Sequence, residues 1–157
     1  MQEFQPATDH DNLSRLTGPA LTELIQPEVL ADLFEATARR IPGRIALACG
    51  ARTVTYGELD ELADRVAARL IEAGVGAGQI VGLWLPRGID LLVMQLGIAK
   101  SGAAWLPFDA DTPVDRIRVC LADANAAGLL ACAANAHSLF DLGRPLVQGR
   151  GRPAGAS

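Results

Sequence analysis

From residue 80 onward, short continuous apolar runs alternate with segments of helical character, and no other feature limits the fold of this chain so tightly. IVGLWLP (80–86) has the form of a parallel strand covered on both faces. IDLLVMQLGIAKSG (89–102) is apolar nearly all round, as a buried crossover helix is, and Ser101-Gly102 supplies its close. AAWLPF (103–108) follows as a second strand. Thr112, Pro113 and Asp115 repeat the chemistry of a helix start, with Pro113 at the first helical position, and predict a helix over 113 to about 124. GLLACAA (128–134) gives a third strand. Strand, helix, strand, helix, strand at these spacings is the rhythm of a parallel βαβ sheet with right-handed crossovers and flanking helices. The predicted fold class is open α/β.

The preceding segment has a different pattern. Val29, Leu30, Leu33, Phe34, Thr37 and Ile41 fall on one stripe at helical spacing, between Pro27 and the stop signal Pro42-Gly43. RIALACGARTVTY (44–56) holds two β-prone runs around Gly50 and reads as a hairpin with Ile45, Leu47 and Val54 pointing inward. Thr55 followed by Glu58 is a capping box, in which hydroxyl and carboxylate each satisfy a backbone donor. Behind it Leu59, Leu62, Ala63, Val66 and Leu70 share one face, Asp60, Glu61, Asp64, Arg65 and Arg69 share the other, and Gly74 closes the helix. Residues 1–27 read as a leader or arm in which Leu21, Leu24 and Ile25 mark a short apolar turn, 28–133 as the folded unit, and 134–157 as an irregular or disordered tail rich in Gly, Pro and Arg.

Composition excludes several functions. A chain of 157 residues builds one domain with a core and is short for a two-domain enzyme. The net charge of -4 offers no general attraction to phosphate backbones, so no nucleic-acid partner is expected. Cys49, Cys120 and Cys132 are far apart with no CxxC pair; they read as reduced, partly buried thiols, and no metal site can start from them. The stretch 124–140 is broken by Asn125, Asn135, His137 and Ser138 and does not span a membrane. MQEFQPATDHDNL lacks the pattern of a signal peptide, and the expected location is cytoplasmic.

Residues with chemical potential mostly have plain structural explanations. GVGAG (74–78) follows a helix and precedes a strand, the wrong context for a nucleotide loop, and reads as a helix cap plus turn. Arg87 sits at a strand's C-terminal end, where open α/β sheets place ligands; a solvated turn arginine is the reading preferred over an anion contact. Lys100, the sole lysine, complements the dipole at the end of its helix. Asp109 and Asp115 read as turn and cap residues rather than, with Asp111, a metal site. His137 is a poor base for any of the cysteines, and Trp84 and Trp105 read as core.

Two motifs carry a family resemblance. VTYGELDELADRVAARLIEAGV is similar to the first core motif of the ANL adenylating enzymes, through Thr55, Tyr56, Glu58 and Leu59. LGIAKSGAAWLPFDADTPVDRI resembles their second core motif, through Lys100, Gly102, Ala103, Pro107, Asp109, Pro113 and Arg116. With LADLFEATARRIPGRIAL upstream, the likeness covers residues 28 to 133 and is greatest to the amino-acid adenylation domains of nonribosomal peptide synthetases. Trp105 and Phe108 depart from the family's usual Tyr or Val and Leu or Ile, and the leader with FDADTP is similar to synthetases of the polylysine-forming type.

The resemblance implies the N-terminal portion of an ANL fold, incomplete. The complete family enzyme uses ATP and Mg to convert a carboxylate to acyl-AMP with release of pyrophosphate. Its Ser/Thr/Gly-rich phosphate loop, substrate pocket and catalytic lysine follow the part represented here. After the strand near Leu129 the chain reads, from Ala133, AANAHSLFDLGRPLVQGRGRPAGAS instead. The motifs present are chiefly structural in the family, so no catalytic, cofactor-binding or metal residue is assigned, and the chain alone is expected to bind no cofactor and to be inactive. The loss of pattern reads as a truncated or frame-shifted gene product, with a deliberately short protein as the alternative. A non-catalytic module that associates with the remainder of a synthetase or a related synthetase, through exposed apolar patches and open sheet edges, is the competing hypothesis. An unrelated small α/β enzyme would need a catalytic constellation that the sequence does not offer.

Overall fold

A computed structural model describes residues 28–132. The expected leader, the tail, and with them Leu21, Leu24, Ile25 and His137, lie outside the described residues. The element order is α1 (Leu30–Arg40), β1 (Ile45–Cys49), β2 (Arg52–Thr55), α2 (Tyr56–Glu72), β3 (Ile80–Trp84), α3 (Ile89–Lys100), β4 (Ala104–Phe108), α4 (Val114–Asp123) and β5 (Gly128–Ala131).

The strands form a β1-β2 antiparallel hairpin and a parallel sheet in the order β4-β3-β5. In the sheet, Val81 is opposite Trp105 on one side and Gly128 on the other, so β3 is central; α3 carries the chain from β3 to β4 over one face, and α4 returns it from β4 past β3 to β5 over the other. This is the βαβ arrangement that the sequence predicts. Val81, Leu83, Leu130 and Ile98 pack with Leu70 and Val75 beneath α2 and α3. On the other face Trp84, Leu129 and Ala131 meet Ile117 of α4. A third group joins Val54, Leu59 and Ala63 to Ile89, Val93 and Leu96 and so ties the hairpin to the helices. Leu70, Val81, Leu83, Ile98, Ile117 and Leu130 are essentially inaccessible to water. Each such side chain contributes about 1.5–3 kcal/mol relative to exposure.

α2 ends as its sequence requires. Gly74 takes φ +80, its N–H donates to the Ile71 carbonyl at 2.9 Å, and the Val75 N–H reaches the Leu70 carbonyl at 2.8 Å. These two bonds are a Schellman motif, and Val75 and Leu70 also supply its apolar contact. Gly102, at φ +82, turns the chain after α3, where the buried Ser101 hydroxyl donates to the Ile98 carbonyl at 2.8 Å.

Several expectations need correction. The apolar stripe of α1 is only partly its core face: Phe34 packs into the core and Thr37 and Ile41 are half-buried, but Val29, Leu30 and Leu33 are exposed and Ala31 and Ala38 are buried instead. Close approach to α2 and α3 selects small side chains there. Ile45 is exposed too, because the β1-β2 register slips between Ile45 and Leu47 and removes Ile45 from the inward alternation. Pro113 is the N-cap of α4 rather than its first residue, and no side chain caps that helix. The residue before α4 is extended at φ -60 and ψ 138, a conformation that proline adopts readily without a donor. Cys49, expected to be partly buried, is exposed beside the hairpin turn; Cys120 and Cys132 are half-buried.

Candidate functional site

Among the described residues, the densest charge cluster lies where three helices meet. α3 ends at Lys100, whose side chain is only 5% exposed. Its Nζ lies 3.1 Å from Glu35 Oε1 of α1 and 2.6 Å from Asp60 Oδ1 of α2, and it also donates to Asp64 Oδ1. Asp60 and Asp64 stand one turn apart on α2, a like-charge pair that repels unless a cation separates it. Burial on its own lowers the ammonium's pKa, but hydrogen bonds to Asp60, Asp64 and Glu35 outweigh this and hold it above the ordinary lysine value. Lys100 is therefore a permanent cation, unsuited to be a general base. Its expected role as a helix-dipole complement is too small: the residue pins α1 and α2 to the end of α3.

The same geometry decides whether the residues present fit a magnesium ion. The carboxylate oxygens of Glu35, Asp60 and Asp64 all lie within 4.8 Å of one another, close enough to share a cation. The Lys100 ammonium already lies among them. The cluster does not fit a resident Mg.

The second candidate region is the carboxyl end of the sheet. There the Trp84 indole N–H donates to the Asp109 carbonyl at 3.0 Å, and the Thr112 N–H donates to the same carbonyl at 3.0 Å. Asp109 thus joins the ends of β3 and β4 through its backbone, while its carboxylate faces solvent. Arg87 and Arg116 are exposed, and Asp115 pairs with Arg118 at 2.7 Å. Among the described residues Asp109, Asp111 and Asp115 do not converge on a common point. Pro107 lies in the edge strand β4, and Ala103 is buried just before it.

The first motif builds the entry to α2. The Thr55 N–H donates to Glu58 Oε2 at 2.8 Å and the Glu58 N–H to Thr55 Oγ1 at 3.3 Å, completing the reciprocal cap. Tyr56 lies against Phe34 with ring centroids 5.9 Å apart, and Leu59 is buried below. The backbone bond to Thr55, and then its hydroxyl, hold the Glu58 carboxyl below the ordinary value of 4.5. A depressed carboxylate pKa adds stability that is present above the ordinary value and disappears as pH falls through the folded one. Thr55→Ala is expected to cost about 1 kcal/mol by urea unfolding at neutral pH. Glu58→Gln is expected to flatten the fall in stability below pH 4.5, and an unchanged acid limb would contradict the cap's role.

The structure therefore divides the family-motif positions into two groups, one at the α2 cap with the Lys100 cluster, the other along the β4–α4 connection. Glu35 carried no signal of its own in the sequence. The available clue was the pairing of a sole lysine, at the end of an apolar helix, with acids four residues apart on a neighbouring helix.

Comparison with known proteins gives the family. Residues 34–149 match the family described as AMP-binding enzyme, so the match continues past residue 133. Delta-poly-L-ornithine synthetase of Acinetobacter baumannii is 56% identical over 108 residues, 69% of this chain and 8% of that protein. A dimodular nonribosomal peptide synthase of Bacillus subtilis is 44% identical over 112 residues, 71% of this chain and 5% of that protein. Among solved structures, the N-terminal subdomain of NpsA from Klebsiella oxytoca, in complex with 3-hydroxybenzoyl-AMSN, superposes with a TM-score of 0.62 at 31% identity. That superposition covers 66% of this chain and 26% of the other. The chain thus spans a small part of the relatives it matches. On motif placement, parallel topology and these similarities together, it belongs to the AMP-binding enzyme family, and it corresponds to the N-terminal portion of a nonribosomal-peptide-synthetase adenylation domain of the ANL superfamily.

Proposed function

We propose that residues 28–132 are the structural N-terminal part of a cytoplasmic, ATP-dependent amino-acid adenylating enzyme, and that the 157-residue chain does not catalyse adenylation alone. In the complete reaction a substrate carboxylate oxygen attacks the α-phosphorus of ATP, forming acyl-AMP as the bond to pyrophosphate breaks. The observation that carries the proposal is Lys100. The one lysine of the chain is buried and engaged by three carboxylates, so it is not available to a phosphate or carboxylate. Thr55, Glu58 and Asp109 are likewise engaged in capping and backbone contacts. Stabilising charge on a transferring phosphoryl group needs preorganised donors aimed at it, and Lys100 and Thr55 are engaged elsewhere.

The identity to a poly-ornithine synthetase, together with FDADTP, supports a synthetase of cationic amino-acid polymers as the parent class. The test has two arms. The purified chain is assayed for ATP–pyrophosphate exchange with L-ornithine and L-lysine, and no exchange above background is expected; sustained exchange overturns the proposal. Residues 28–132 are also grafted in place of the matching segment of the Acinetobacter synthetase. Ornithine-dependent exchange within about tenfold of the parent is expected, a change of about 1.4 kcal/mol or less in the barrier. Loss of exchange in a folded graft would show that this segment is not an equivalent scaffold.

A further inference from the structure

Ala31 and Ala38 are buried on the inner side of α1, whereas Val29, Leu33, Ala36 and Arg40 follow at i, i+4, i+7 and i+11 and line the opposite, exposed side. Val29 and Leu33 are 58% and 57% exposed, and Leu30, 58% exposed, stands on one flank of this strip. The other exposed large apolar side chains among the described residues, Ile45, Ile71, Leu92 and Val119, are each on a different element, so apolar exposure is concentrated on α1. On the second flank Asp32 lies in the first turn and Arg39, two turns later and on the same side, in the last. Neither is used up: Asp32 spends one carboxylate oxygen on the Val29 N–H, and Arg39 holds Glu35 of its own helix at 3.4 Å with a side chain 69% exposed and further donors to spare.

This charge pattern fits the same helix in a second copy of the chain. When two identical helices pack antiparallel about a two-fold axis, each flank meets the same flank of the other copy with the chain direction reversed. Asp32 of one copy then faces Arg39 of the other, and the pair forms twice. Seating Leu33 against Ala36 of the other copy leaves Asp32 and Arg39 about 3 Å apart along the helix axis, within reach of a guanidinium, and lays the apolar stem of Arg40 over Val29. A parallel two-fold pair would instead set Asp32 and Arg39 against the flank of Leu30 and align the two helix dipoles. The charges therefore select the antiparallel arrangement. We propose that the exposed face of α1 joins a second copy of this chain in an antiparallel, two-fold α1–α1 pair. One pair of three-turn helices buries less than the roughly 1,200 Å² of a standard interface, so the association is weak and reversible.

Sedimentation equilibrium of the full 157-residue chain, from about 10 μM to about 1 mM, tests the pair, and the mean mass is expected to rise toward that of a dimer. Leu33→Glu is expected to abolish the rise. Arg39→Glu makes the charged flank acidic and Asp32→Arg makes it basic; each is expected to weaken self-association about tenfold, while an equimolar mixture of the two associates at least as tightly as the parent chain. Urea unfolding of each variant confirms that it is folded. Leu33→Glu and Arg39→Glu change exposed side chains outside the α1 cap, so they decide the matter even where Asp32→Arg loosens the helix. A parent chain that stays monomeric overturns the proposal, as does association that survives Leu33→Glu, or a mixture of the two folded charge variants no tighter than its components.

Discussion

Lys100→Met is expected to lower stability by about 2–3 kcal/mol, read as a lower urea midpoint with an unchanged denaturant slope. Breaking a fully buried ion pair costs about 3–5 kcal/mol because a charge is left without compensation. Here the Glu35, Asp60 and Asp64 side chains are 35%, 26% and 61% exposed, so water screens part of that cost. The methionine keeps much of the lysine's apolar stem, and the loss is therefore mainly electrostatic. A second substitution separates charge from packing: Asp64→Asn is expected to destabilise the parent chain yet to recover stability in the Lys100→Met background, where it removes a repelling carboxylate. Additive effects of the two substitutions would mean that the ammonium does not neutralise the α2 acids.

Gly97 is the next most sensitive position. A Cβ there would lie 2.5 Å from both Cβ and Cγ1 of Val66 and 3.0 Å from the Ala63 carbonyl, so α3 would have to move away from α2. Gly97→Ala is expected to cost about 2–3 kcal/mol despite the better helix propensity of alanine, because overpacking outweighs the gain of about 1 kcal/mol. Gly97→Leu is expected to leave no cooperative unfolding transition. Val66→Ala should restore part of the stability of Gly97→Ala by removing Cγ1. Gly43, where a Cβ meets nothing within 4 Å, serves as the control, with Gly43→Ala expected to change stability by less than about 0.5 kcal/mol. A Gly97→Ala chain as stable as the parent would show that the α2–α3 contact is looser than its geometry.

α2 and the sheet were legible in the sequence because their signals are local. A capping box, a single apolar face and a glycine with positive φ all lie within one segment, and the continuous apolar runs of β3 and β5 reflect cover on both faces. α1 was legible only in part: Phe34 packs inward as its hydropathy predicts, whereas at the start of the helix the small Ala31 is buried and the larger Leu30 and Leu33 are exposed. The Lys100 cluster was illegible for a different reason. Its acids lie 36–65 residues earlier in the chain, on two other helices, and only the helix packing brings them together. The likeness to a family located Lys100 as a motif residue, but its partners came from the structure.

Pro107 gives the parallel sheet a direction of growth. It lies in β4, which among the described residues has β3 on one side and no strand on the other. Proline has no N–H to offer a new neighbour, so that margin is a poor template for another strand. β5 is the opposite margin, contains no proline, and has all four of its residues buried by cover on both faces. Any strand recruited to this sheet, whether from the same polypeptide or from another, is therefore expected to join beside β5, and assembly proceeds from one side only.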